Sequence, residues 1–427
     1  MHIVYYENMK LAFLTYNRDP SIPEIDNDGN PVTVRNYSYW LSKLGHEIDI
    51  FANRVTPNEI SSDYIKKKFY LQKDDSLELF SGVKVVRIDT PDITAKDLFN
   101  SVKLQELPEI TQSILAANYF NDGRLDNYDL VCVFHPLTAF GVIFRDFLPL
   151  KKTVLFPMLL SDEYLKFGKV SPIYISLEQL VIENVGKIFS TSLSEANTLV
   201  SRGINKNNIE TIRRGIDIDT LDFIPRNKIN DTNKLNLITV GSIRPQKRQH
   251  VLIDVVEKLI SKGVDVNLKI VGENKLFTKS EYKEYYEKIQ NSILEKNLSE
   301  KIKFVGSVKP TEVFNLLGSS DIAIFPSMSE SFGKAALESI CTGTPTILAK
   351  ECLAYNDFSK DEENALLSLS DSESIVDTIV KLVDNKNLYS KLSSNGLTTR
   401  NKFSWEIVSR TLDSALEAFK KSINNFV

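Results

Sequence analysis

Residues 321–345, DIAIFPSMSESFGKAALESICTGTP, leave few choices of fold. The apolar run Ile322 to Phe325 has the pattern of a buried strand. It breaks at Pro326–Ser327, and a helix-compatible segment follows as far as Thr342–Gly343. The break at Ser331–Phe332–Gly333 puts main-chain N–H groups at a helix start, where unpaired donors and the positive end of the dipole suit a phosphate. Glu330 stands on the loop and Glu338 inside the helix. Two carboxylates beside an anion site make sense if the ligand also carries hydroxyls. A nucleotide sugar does, since its sugar and ribose hydroxyls can donate to carboxylates on either side of the diphosphate. Taken alone, two glutamates at this spacing also fit a solvated helix face.

A chain of 427 residues is expected to hold two domains. Its 42% hydrophobic and 25% charged residues are ordinary for a soluble globular enzyme, and a net charge of −4 gives no support for a nucleic-acid partner. No run approaches the ~18 apolar residues that span a bilayer. The start, MHIVYYENMKLAFLTYN, lacks a basic stretch followed by a long apolar core, so secretion is not expected and the cytoplasm is the default. Cys132, Cys341 and Cys352 have no paired spacing; the first two read as core thiols.

In chain order, Lys10 to Asn17 (KLAFLTYN) reads as the first buried strand, with Met1–Met9 an extension or an alternative start. A polar loop runs to Asp28-Gly29-Asn30. Asn30 suits an N-cap and Pro31 the first helical position of a helix through Val34, Tyr37, Leu41 and Leu44. His46 to Phe51 opens a second strand. Residues 54–82, including Lys66-Lys67-Lys68, fit a solvated face or a site for an acidic acceptor. Val83 to Ile88 is a strand and 97–120 a helix. Asp129 to Phe134 (DLVCVF) is a central-type strand with His135 at its C-terminal end, the edge where ligands gather in an open α/β sheet. His2, His46 and His250 fall in the extension, at a turn and at a helix start. Only His135 has an active-site address, and a satisfied structural histidine is its rival reading. Strands at Thr153 to Met158 and Lys187 to Ser192 follow, the helix around Glu178–Glu183 lying between them.

Residues 217–234 are polar and contain proline, as a linker would. Leu235 to Val240 (LNLITV) then starts a second α/β series. It leads into Gly241-Ser242-Ile243-Arg244-Pro245-Gln246-Lys247, where a cation soon after a βα glycine can neutralise a diphosphate. Strands at Val266 to Val271, Ile302 to Val305 and Pro345 to Ala349 alternate with helical stretches; the charged one over 278–301 reads as solvated surface. Helices at 371–384 and 404–423 close the chain.

Glu330-Ser331-Phe332-Gly333-Lys334-Ala335-Ala336-Leu337-Glu338 resembles the E-x7-E signature of retaining GT-B glycosyltransferases, and the chain is similar to the GT4-type (group 1) family over nearly all of residues 10–420. That resemblance implies an α/β GT-B fold, two Rossmann-like domains facing a central cleft. The expected division is 1–216 as the acceptor-binding domain, 217–234 as linker, 235–403 as the nucleotide-sugar-binding domain, and 404–427 as a helix crossing back. It implies that Glu330 holds donor-sugar hydroxyls and Glu338 the ribose, and that Lys247 holds the phosphates. Backbone at Ser331, Phe332 and Gly333 completes that grip. His135 resembles a family histidine near the reacting sugar. Gly29 and Asn30 stand where the family usually has G-G near the diphosphate, so only Gly29 matches. Ser242 occupies the family's arginine position, with Arg244 a candidate replacement, and Val308 follows the strand whose backbone reads the base. The usual G-G loop and following G-x-E are absent from Ala349–Asp357, and Phe156-Pro157-Met158 replaces a common histidine. Asp217-Ile218-Asp219 and Asp26-Asn27-Asp28 match a D-x-D metal signature of a different glycosyltransferase fold and are set aside.

The implied reaction moves a hexose-type sugar from a nucleoside-diphosphate sugar, a UDP-sugar favoured, to a hydroxyl acceptor: a glycan, a lipid-linked molecule or a small molecule. The implied configuration is retained, without metal or other cofactor. A GT-B epimerase or hydrolase, and a non-catalytic sugar-nucleotide-binding protein, stay open as alternatives. Base, sugar, acceptor and oligomeric state are not legible.

Overall fold

The structure, a computed structural model, describes residues 8–15, 29–53, 76–88, 113, 117–144, 146, 148–166, 170–218, 234–272 and 280–425. The chain divides into two compact units, one formed by Met1–Arg213 with Trp405–Val427 and the other by Arg214–Ser404.

The first unit contains β1 (Lys10–Thr15), α1 (Gly29–Lys43), β2 (Glu47–Asn53), β3 (Ser76–Phe80), β4 (Val83–Ile88), β5 (Leu130–Phe134), α2 (Pro136–Phe144), β6 (Thr153–Phe156), α3 (Ser161–Leu165), α4 (Pro172–Asn184), β7 (Lys187–Ser190), α5 (Leu193–Ser201) and β8 (Ile209–Thr211). The strands lie in the order β3-β4-β2-β1-β5-β6-β7-β8, all parallel except the β3–β4 pair. β5 shows why the sequence has apolar runs rather than alternation. Val131 and Val133 enter one core cluster while Leu130, Cys132 and Phe134 enter another, so both faces of the strand are covered.

The second unit contains β9 (Lys234–Val240), α6 (Gln249–Ser261), β10 (Asp265–Val271), α7 (Ser280–Glu295), β11 (Ile302–Gly306), α8 (Pro310–Gly318), β12 (Ile322–Phe325), α9 (Lys334–Cys341), β13 (Thr346–Ala349), β14 (Leu366–Ser368), α10 (Ser372–Asp384) and α11 (Lys386–Lys402). Its sheet is parallel, in the order β11-β10-β9-β12-β13-β14. The last helix, α12 (Trp405–Asn424), packs with α1 in the first unit. There Asp413 accepts from His46 Nε2 at 2.7 Å while His46 Nδ1 accepts the Met9 N–H at 3.0 Å, which ties the two ends of the chain to one buried ring.

Several expectations need correction. α1 begins at Gly29, so Asn30 and Pro31 lie within the helix and Asn30 is not its N-cap. Part of the polar stretch 54–82 is a strand, β3, which pairs antiparallel with β4 through a turn at Ser81–Gly82. The strand at Thr153 ends at Phe156, because the chain turns at Met158 with φ of 66°. Asn118–Phe120 is a 3-10 turn, the rest of the helix expected over 97–120 lying almost wholly outside the described residues. Lys66–Lys68, residues 219–233 of the linker and Asp26–Asp28 also lie outside them. The Ser-, Asn- and Thr-rich α11 was not expected. Its buried face is Leu388, Tyr389, Leu392, Ser393, Gly396 and Thr399, half of it too small or polar to register as an apolar stripe.

Candidate functional site

In the second unit the chain runs outward from β9 through β10 to β11, then returns to the other side of β9 as β12. The connections after β9 and β12 therefore leave the sheet at its topological switch point, where open α/β sheets bind ligands. Lys247 lies on the first of these connections and Glu330 on the second.

The edge is built on close backbone contacts. Gly241 donates its N–H to Val271 O at 2.8 Å, and Gly272 donates to Gly306 O at 2.9 Å. A Cβ on Gly272 would sit 2.1 Å from Gly241 O, so residue 272 has no room for a side chain. After Gly241 the chain makes a short 3-10 turn, Pro245–Lys247, and α6 starts. The β12 connection meets this turn through Met328 N–H, which donates to Gln246 O at 3.0 Å. With the two loops joined, Lys247 Nζ reaches Glu330 Oε1 at 2.5 Å, the side chains being 22% and 14% exposed. The cation and the carboxylate are thus partly desolvated, where charges act more strongly than in water.

Gly333 precedes α9 with φ of 90°, and a Cβ there would be 2.5 Å from Cε1 of buried Tyr355. Ala336 and Leu337 donate to Gly333 O, while the N–H groups of Lys334 and Ala335 have no earlier carbonyl of the helix to bond. Phe332 is fully buried against Phe358 and Phe403, so its side chain serves the core. Glu338 is nearly buried and pairs with Lys334 Nζ at 2.8 Å. Each of the two glutamates singled out in the sequence is therefore held by a lysine. Lys334 escaped notice there although its i,i+4 spacing from Glu338 was readable.

The structure puts the Arg244 guanidinium 5.5 Å from the centre of the Tyr282 ring, with Nε buried and without a hydrogen-bond partner. The Ser242 carbonyl accepts from Gln249 Nε2 at 3.0 Å. Ser331 is half-buried on the β12–α9 loop, and Val308, half-buried, packs on the cluster that contains Phe332.

The remaining sequence-predicted residues belong to the first unit. Gly29 and Asn30 start α1. His135 ends β5 with φ of 88°, a conformation uncommon outside glycine. Its N–H donates to Phe156 O at 2.8 Å. Nδ1 accepts from Leu137 N–H at 3.3 Å, which leaves the proton on Nε2, 3.4 Å from Tyr174 OH. Burial lowers its pKa to about 4, so the ring is neutral near pH 7. Tyr174, well before the predicted helix around Glu178, was another residue the sequence did not single out.

Residues 222–399 match the family model described as glycosyl transferases group 1. Among curated relatives, an uncharacterized glycosyltransferase of Methanocaldococcus jannaschii is 31% identical over 39% of this chain, and the match spans 43% of that protein's length. The MMP alpha-(1->4)-mannosyltransferase of Mycolicibacterium hassiacum is 23% identical over 94% of this chain and 96% of its own. Among solved structures, the Anabaena protein HepE in complex with UDP-glucose superposes with a TM-score of 0.69 at 15% identity, covering 96% of this chain and all of that one. The two α/β sheets thus have the GT-B fold of these glycosyltransferase structures.

Proposed function

We propose that this chain is a group 1 glycosyltransferase, which transfers a hexose-type sugar from a nucleoside-diphosphate sugar to a hydroxyl acceptor, with retention and without a metal ion. The observation that carries this reading is the Lys247–Glu330 pair at the switch point of the second unit. In the proposed complex Lys247 shifts its charge to the departing diphosphate, together with N–H groups at the start of α9. Glu330 then accepts from hydroxyls of the sugar, and Glu338 from those of the ribose. Fixed donors aimed at a leaving group can supply a large share of a transfer reaction's acceleration. Arg244 supplies a second cation in place of the arginine missing at Ser242. A front-face route fits this set, the leaving diphosphate oxygen taking the acceptor's proton, and neutral His135 contributes a hydrogen bond rather than a charge.

A UDP-sugar is the first donor to try, because the Anabaena relative in fold was crystallised with UDP-glucose. We assign the reaction to the cytoplasm, in keeping with three free cysteines. Among the described residues no helix is long and apolar enough to cross a membrane.

The test is a thermal-shift panel of UDP-, GDP- and ADP-sugars, followed by mass spectrometry of products formed with and without added acceptors and with EDTA. One donor class should stabilise the protein, and a mass gain of one sugar should appear on an acceptor and survive chelation. Glu330→Ala and Lys247→Ala should each abolish transfer while the fold persists. Near-normal turnover in both variants would remove the site assignment. Product formed only as free sugar, or only in the presence of metal, would replace the reading.

A further inference from the structure

Glu338 is 7% exposed on α9, among Ala336, Leu337, Ser339, Ile340 and Cys341, which are all buried. A carboxylate so far out of water needs a counter-charge, and Lys334 Nζ supplies one at 2.8 Å from Oε1. Side chains lean toward the start of their helix, so the pair lies over the first turn of α9. The N–H groups of Lys334 and Ala335, which no helical carbonyl takes, are at the same end. Helix stability does not account for this arrangement. A cation in the first turn opposes the helix dipole, and lysine four residues before glutamate is the weaker of the two orders. The Lys334 side chain is 30% exposed, so its charge is open to a ligand that reaches Glu338.

We propose that Lys334 is a positioning residue for Glu338: it holds Oε1 so that Oε2 is presented to the ribose, and it cancels a negative charge that would otherwise repel the diphosphate. This rests on the donor-site reading above and adds to it a residue which that reading leaves idle. Glu338 has to serve neutral hydroxyls next to a strongly anionic group. Without its cation the carboxylate would stand near the phosphates in a partly dry site, where like charges repel more strongly than in water. Lys334 therefore differs from Lys247 in what it does for the reaction. It acts at the ribose, away from the bond that breaks, so it favours bound substrate and transition state alike.

The experiment titrates UDP, GDP and ADP, each beside its 2′-deoxy and 3′-deoxy forms, into wild type, Lys334→Met and Lys334→Arg, with transfer kinetics for each protein. Wild type should prefer the ribonucleotide to at least one deoxy form by about tenfold. Lys334→Met should bind the ribonucleotide about tenfold more weakly and prefer it by less than about threefold. Its KM for the donor should rise while kcat stays within about twofold. Lys334→Arg, which keeps the charge, should recover most of both losses. The double variant Lys334→Met/Glu338→Gln strands no carboxylate, so it supplies a folded protein if Lys334→Met alone does not, and it should show the same loss of preference. A merely structural helix pair would shift the melting temperature and leave the ribose preference untouched. If Lys334→Met prefers the ribonucleotide as strongly as wild type does, this inference is overturned and the donor site stands. If wild type binds nucleotides without a ribose preference, the role of Glu338 falls together with this inference, while Lys247 and Glu330 keep theirs. If wild type binds none of the nucleotides, the donor-site reading fails and takes this inference with it.

Discussion

Lys247 and Glu330 neutralise each other across two loops that are distant in sequence, and this coupling sets what their variants should do. Lys247→Met leaves a partly buried carboxylate without its cation, and Glu330→Gln leaves the ammonium without its counter-charge. Each should lower kcat/KM by roughly 10²–10³-fold, the range found when one transition-state donor is removed. The double variant should lose far less than the product of the two, since residues acting as one unit are not additive. Steady-state kinetics of the four proteins gives the coupling, and strict multiplicativity would mean the two act separately. His135 permits a second prediction at this scale. Its pKa of about 4 lies below the usual 6.5, so the native state favours the neutral ring. The stability this confers is fully present above about pH 6.5 and is lost as pH falls toward 4. His135→Gln should flatten that part of the melting-temperature profile, while the kcat/KM profile above pH 7 keeps its shape at a lower level. An unchanged acid limb in the melting curves would show that the ring is not held neutral.

At the scale of elements, the β9–α6 and β12–α9 connections depend on two glycines for different reasons. Gly272 faces a backbone oxygen 2.1 Å from its would-be Cβ, whereas Gly333 faces the edge of a tyrosine ring at 2.5 Å. Both have positive φ, but a ring can swing and a strand carbonyl cannot. Gly333→Ala should cost about 1–3 kcal/mol, from backbone strain and crowding together. Gly272→Ala should cost more, because strands β9 and β10 would have to separate. Urea unfolding ranks the two, and a milder effect at Gly272 would contradict the close approach. This is also where legibility of the sequence divides. The strand–loop–helix unit around Glu330 was readable because a four-residue apolar run, a proline and a glycine each have a local meaning. The pairing of Lys247 with Glu330 was not foreseen: the family resemblance assigned the one to phosphates and the other to sugar hydroxyls, and nothing local links residues 83 apart in sequence. Tyr355 was invisible, because a buried aromatic residue in a polar-looking turn carries no periodic signal. Strand β3 was missed for a related reason: Ser76–Phe80 is short, at the sheet edge and preceded by Lys73-Asp74-Asp75.

At the scale of the whole chain, the two units differ in how their sequence is assembled. The second is continuous, and its core clusters draw only on residues between Ile216 and Phe403. The first is interrupted: α12 brings Trp405, Val408, Leu412, Ala415, Leu416 and Phe419 into the same cluster as Leu11, Tyr37 and Phe156. At ~1.5–3 kcal/mol for each large apolar side chain, α12 contributes on the order of 10 kcal/mol. That is comparable with the entire stability of an ordinary domain, ~5–15 kcal/mol. The Asp413–His46–Met9 chain of hydrogen bonds would also be cut without it. Residues 214–404 made alone should therefore melt cooperatively, whereas residues 1–213 alone should be collapsed, bind a hydrophobic dye and lack a cooperative transition. Adding the separate segment 405–427 should restore a transition to the 1–213 fragment, and carrying Asp413→Ala in that segment should weaken the rescue. A 1–213 fragment that melts sharply by itself would mean that α12 only covers a finished fold. The same experiment fixes an order of folding, since a unit missing α12 cannot close its core until that helix has been made.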